Sequence, residues 1–172
     1  AYNIYSIFKI LNQESKKKNL TIVDLGSGHG SAAEKLLRII EKKKENIALD
    51  LILIDIPLNL AITYAYLKKI FPLKKIFLVS NTKDLKKISL KKNEKITLVP
   101  TIFSTEVKTL FNLDILNNQA SLSEMDYDNI KFYLNLFMDK NLNKKLNMKV
   151  KIKKANTKTV MAVIKSRISV SF

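Results

Sequence analysis

The chain has 172 residues, enough for one domain with a core of its own, and it has no cysteine, which excludes disulfides, cysteine-ligated zinc and a cysteine nucleophile. Its net charge of +16 invites nucleic acid as a partner, but only Arg38 and Arg167 among the 31 basic residues are arginines. Readers of nucleic acid favour the bidentate fork of Arg, so nucleic acid is not the expected substrate. One histidine leaves little for a transition-metal site, and no apolar run approaches the roughly 20 residues that span a bilayer.

In chain order, residues 1–18 read as a helix with Ile4, Ile7, Phe8 and Leu11 at helical spacing, closed by the polar run "NQESKKKN". The opening has no basic lead and no small-residue cleavage site, so it does not read as a signal peptide, and a cytoplasmic location is expected. "LTIVDL" (20–25) is a continuous apolar strand of the kind buried on both faces of a parallel sheet. A loop with all three glycines of the chain follows, then a helix over 31–44 with Ala33, Leu36, Leu37 and Ile40 on one face. "IALDLILID" (47–55) is a second buried strand, and residues 57–71 form a helix with Pro57 in its first turn. "KKIFLVS" (74–80) and "EKITLVP" (94–100) are further strands, and "FNLDILNNQ" (111–119) contains another. Residues 123–140 read as a helix with Ser123 as N-cap and Asp126 three residues on. Two alternating strands about "ANTK" suggest a hairpin within 148–172. Strands alternating with helices predict a mostly parallel α/β sheet, Rossmann-like, with helices on both faces and a C-terminal antiparallel hairpin, all in a single domain over 1–172.

The glycine loop lies where such sheets bind ligands, at the carboxyl end of a strand. Glycine there permits positive φ and lets a ligand lie against the backbone, and the following helix offers unpaired N–H groups. A dinucleotide fingerprint would read G-x-G-x-x-G, but here Gly26, Gly28 and Gly30 read G-x-G-x-G, and Ser31 takes the third-glycine position. "VDLGSGHG", with Asp24 ahead of the glycines, resembles the S-adenosylmethionine loop of class I methyltransferases. Asp55 ends the second strand, where a carboxylate can accept both ribose hydroxyls, while Asp50 begins that strand and would point away. Asp24, Gly26, Ser27, Gly28, Gly30, Asp55, Ile56 and Asn117 form the expected cofactor set, with Thr101 at the adenine edge. A tight turn with no ligand, and binding of NAD, are the competing readings of this loop.

A second stretch, "DILNNQASLSEMDYDNIKFYLNLF" (114–137), resembles the D-x-x-x-N-x-x-S-x-x-E-M…Y region of a family of sugar O-methyltransferases found in bacterial surface-polysaccharide gene clusters. "LILIDIPLNLAITYAYLKKIFP" and "ITLVPTIF" are similar to that family's second-strand region and its following "liPn" strand, in the same order, so the resemblance covers roughly residues 20–138. It implies methyl transfer from S-adenosylmethionine to a hydroxyl of a sugar or glycan acceptor. Such transfer needs the hydroxyl held in line and a base for its proton. Asn117, Asn118, Ser121, Glu124 and Asp126 lie on the acceptor side. Glu124 matches the family's motif glutamate and is the first candidate for catalysis, with capping of the helix start as its alternative. Asn118 is a second candidate, and His29, the single histidine, is a third because imidazole titrates near neutrality. Two other functions stay open: an RNA methyltransferase, favoured by the charge, and a non-catalytic cofactor-fold module that binds a partner.

Overall fold

A computed structural model describes residues 19–43, 48–91, 94–118, 121–137 and 169–171. The elements are β1 (Asn19–Leu25), α1 (Ser31–Lys43), β2 (Ala48–Asp55), α2 (Pro57–Ile70), β3 (Lys75–Leu78), α3 (Thr82–Ser89), β4 (Lys95–Pro100), α4 (Ser104–Leu110), β5 (Ile115–Asn117), α5 (Tyr127–Phe137) and β6 (Ser169–Ser171). Short 3₁₀ turns at Thr101–Phe103 and Ser121–Ser123 follow β4 and β5.

The sheet order is β3-β4-β2-β1-β5-β6. The first five strands are parallel, and β6 runs antiparallel to β5. From β1 the chain builds outward through β2 to β3, turns back to β4, then crosses to the far side of β1 to form β5. Right-handed crossovers put helices on one face during outward growth and on the other during the return. The packing follows: α1 and α2 cover the face of Leu20, Ile22, Leu49, Leu51, Leu53 and Leu98. Helices α3, α4 and α5 cover the face of Val23, Leu25, Ile52, Ile54 and Val99. Both faces of β1 and β2 are therefore buried, which is why their sequences run apolar without alternation.

Two helices, α3 and α4, fall in stretches whose sequence gave no helical expectation. Helix α3 is short and lysine-rich, yet Asn81 caps it by accepting the Asp84 N–H at 2.9 Å, and Leu85 and Ile88 are its buried pair. The helix expected over 123–140 begins instead at Tyr127 and is described to Phe137. Its N-cap is Asp126, which accepts the Asn129 N–H at 2.9 Å, and the Asp126 carboxyl is held below the usual range by that bond and by the Asn129 amide. Ser123 instead lies in the preceding 3₁₀ turn, because a carboxylate three residues before an open N–H takes over the start of the helix. The helix expected over 1–18 and most of the hairpin expected within 148–172 lie outside the described residues. Among the described residues no helix is long and apolar enough to cross a membrane.

Candidate functional site at the strand switch point

The crossing from β4 to β5 leaves β1 flanked by β2 on one side and β5 on the other, with chain growth reversing between β1 and β5. This switch point is where doubly wound sheets open a crevice beyond their carboxyl ends. On the α1/α2 face the apolar row of each central strand ends in a polar residue. Leu20 and Ile22 lead to Asp24, Leu51 and Leu53 to Asp55, and Ile115 to Asn117. The period-2 alternation of a strand thus brings three polar side chains to one end of one face.

Asp24 and Asn117 are register partners, and the Asn117 amide donates to the Asp24 carboxylate at 2.7 Å. Asp24 is buried, and burial pushes its carboxyl up to about 7, opposed by the Asn117 hydrogen bond and reinforced by the nearby Asp55 charge. Asp55 clamps the loop. One carboxylate oxygen accepts the Gly28 N–H at 2.7 Å, while the other accepts the Ile56 N–H at 2.7 Å and the Asn59 amide at 2.9 Å. Asp50 belongs to the other face and the other end of β2, where it pairs with Lys95.

The loop itself is held from two sides. The Gly26 N–H donates to the Ile54 carbonyl at 2.7 Å, and the Thr63 hydroxyl of α2 donates to the Gly28 carbonyl at 2.7 Å. Thr63 is fully buried, and its methyl group lies where a Gly30 side chain would begin. Gly28 has φ of +55° and, among the described residues, nothing within 4 Å of the place a Cβ would occupy. Gly26, at φ +70°, is the reverse: the side chain of Ser121 fills that place.

The remaining expected residues separate into those at the crevice and those beside it. Ser27 is buried with its hydroxyl oxygen without a partner among the described residues, and the same holds for the Asn117 carbonyl oxygen. Ile56 is half exposed next to Asp55. Thr101 is half-buried one residue past Pro100, the register partner of Asp55, so it stands on the neighbouring strand end. His29 is exposed in the loop. Glu124 is exposed just after the Ser121–Ser123 turn, outside the first turn of α5, so it does not cap that helix.

Asn118, a candidate for catalysis, is tied to the end of β1 and to the turn after β5. Its amide nitrogen donates to the Leu25 carbonyl at 2.7 Å and to the Ser121 hydroxyl at 2.5 Å, and its carbonyl oxygen takes the Leu122 N–H at 3.4 Å. Asp114, the first residue of the same motif, lies at the other end of β5 and accepts the Thr21 N–H at 2.9 Å. Three supporting residues were not singled out from sequence for these roles: Asn59, Thr63 and Ser121. The first two had a signal. They stand four apart on α2, and Thr63 is a polar residue within the buried stripe of Leu60 and Leu67.

Taken together this strand end gathers two buried carboxylates, a buried amide oxygen and a buried hydroxyl beside the glycine loop. Such a set suits a ligand rich in donors, such as hydroxyl or ammonium groups. No protein-family model matches the chain, and neither a curated protein nor a solved structure matches it.

Proposed function

We propose that this chain is a class I S-adenosylmethionine-dependent methyltransferase whose acceptor is a sugar hydroxyl. The observation that carries the cofactor is the convergence of Asp24, Asp55 and Asn117 on a glycine loop at the switch point, with open space over Gly28. The residues fit the group. Asp55 accepts three bonds and keeps one lone pair for a ribose hydroxyl, and Asp24 with the Asn117 oxygen, which has no partner among the described residues, suits the cofactor's ammonium. Half-exposed Ile56 and neighbouring Thr101 would flank the adenine. A dinucleotide is disfavoured because the third-glycine position of its fingerprint is Ser31.

When bound, S-adenosylmethionine would supply a methyl group on a positively charged sulfur. The protein's part is to hold that end of the ligand at the glycine loop and to bring an acceptor hydroxyl to it from the β5 side. Glu124 is the exposed carboxylate of that side whose place in the sequence matches the family motif, and it would take the hydroxyl proton. The sugar acceptor rests on the resemblance of residues 114–137.

Titration calorimetry with S-adenosylmethionine and its demethylated product should show binding that Asp55→Ala abolishes and Glu124→Gln retains. Absence of binding by the unaltered chain contradicts the cofactor assignment. Surface polysaccharide from a strain lacking the gene should then lose one methyl mass per modified sugar, and an unchanged glycan would remove the sugar acceptor.

A further inference from the structure

The glycine that opens the loop and the polar segment after β5 meet each other. A Cβ built on Gly26 would fall 1.9 Å from the Ser121 hydroxyl oxygen and 2.0 Å from the Ser121 Cβ. That hydroxyl donates to the Leu25 carbonyl at 3.0 Å, and the Asn118 amide donates to the same carbonyl. Leu25 stands one residue past Asp24, whose register partner is Asn117, so Asn118 lies opposite Leu25. The Asn118 side chain therefore prolongs the β1–β5 ladder by one rung after the strand itself has ended. The Glu124 N–H donates to the Ser121 carbonyl at 3.0 Å, which carries the connection to the exposed carboxylate beyond.

We infer that Asn118 and Ser121 are positioning residues: they clasp the acceptor-side segment to the cofactor loop, and residue 26 is glycine to admit Ser121, not to admit the ligand. The two glycines then have different partners. At Gly28 the place of a Cβ is open among the described residues, and at Gly26 Ser121 fills it. Because Asn118 commits both amide hydrogens to Leu25 and Ser121, it orients the loop without touching the acceptor. The clasp spans the two halves of the crevice, so a ligand seated on the loop and the backbone leading to Glu124 share one rigid support. The inference rests on the proposed cofactor for its functional meaning, though the steric part stands on its own.

A double-mutant cycle with Gly26→Ala and Ser121→Gly tests it. The left-handed backbone strain at residue 26 is the same in both backgrounds, so it cancels in the comparison. Calorimetry with S-adenosylmethionine, well below the unfolding midpoint, should show Gly26→Ala weakening binding by about tenfold or more with Ser121 present. With Gly at 121 the same change should cost no more than about threefold, and the thermal midpoints should follow the same pattern. Equal penalties in both backgrounds would mean that residue 26 is glycine for another reason, and would overturn the clasp. Recovery of the midpoint without recovery of affinity would assign Gly26 to the ligand and overturn it as well. If the unaltered chain binds no cofactor, the functional reading fails, and the clasp is judged by the same criterion on the midpoints alone.

Discussion

Among the described residues, Asp24 is the carboxylate whose environment departs furthest from that of a solvated one. It is buried, receives one amide hydrogen bond, and lies near a second acid. With its carboxyl pushed up to about 7, the folded chain keeps this proton over a window in which the unfolded chain has released it. Stability linked to Asp24 is therefore full below the ordinary carboxylate range, falls as pH rises through the window, and levels off above about 7, a loss of up to about 4 kcal/mol. Asp24→Asn keeps an acceptor for the Asn117 amide and removes the titration. Urea unfolding at about pH 4.5 and about pH 8 should show the unaltered chain losing more stability than the variant between the two. Parallel changes would contradict a buried, proton-retaining Asp24. Asp24 stands out in the sequence because it breaks an apolar strand just ahead of the glycines. Ser121 was legible only as a possible acceptor contact. Its actual neighbour is 95 positions away, and nothing local announces a contact across the switch point.

At the scale of elements, β2 and β4 are locked by a buried pair at their amino ends. Lys95 and Asp50 are register partners, and the ammonium donates to the Asp50 carboxylate at 2.5 Å and to the Lys91 carbonyl at 2.7 Å. The Lys95 side chain is 2% exposed and Asp50 is 22% exposed, so removing one partner strands a poorly solvated charge. Lys95→Met should destabilise the fold by roughly 3 kcal/mol, and adding Asp50→Asn should recover part of it, since the remaining charge is then gone. Chemical denaturation of the parent and the two variants measures this, and a Lys95→Met chain as stable as the parent would contradict it. Strands β1, β2 and β4 and helices α1 and α2 were readable because long apolar runs and wide apolar stripes are properties of the local sequence. Helix α3 was not: eight residues with three lysines carry little periodicity, and its cap is a side-chain bond of Asn81. The start of α5 was misplaced for a related reason, since Ser123 and Asp126 are both capping types and only the tertiary path selects between them.

For the whole molecule, the sheet order is what sets the glycine loop beside the end of β5. The sequence predicted parallel strands but not that β3 would lie outside β4, nor that β5 would cross to the other flank of β1. That crossing places Asn117 beside Asp24, and it brings the segment after β5 against the glycine loop. The sparing use of glycine gives a direct probe of it. A chain labelled with ¹⁵N only at glycine has three backbone amide signals, from Gly26, Gly28 and Gly30. Titration with S-adenosylmethionine should shift the Gly28 signal most, because its N–H is held by Asp55 and the place of a Cβ there is open among the described residues. Gly26, covered by Ser121, should move less. Three signals unchanged at saturating cofactor, in a folded protein, would contradict the assignment of this loop.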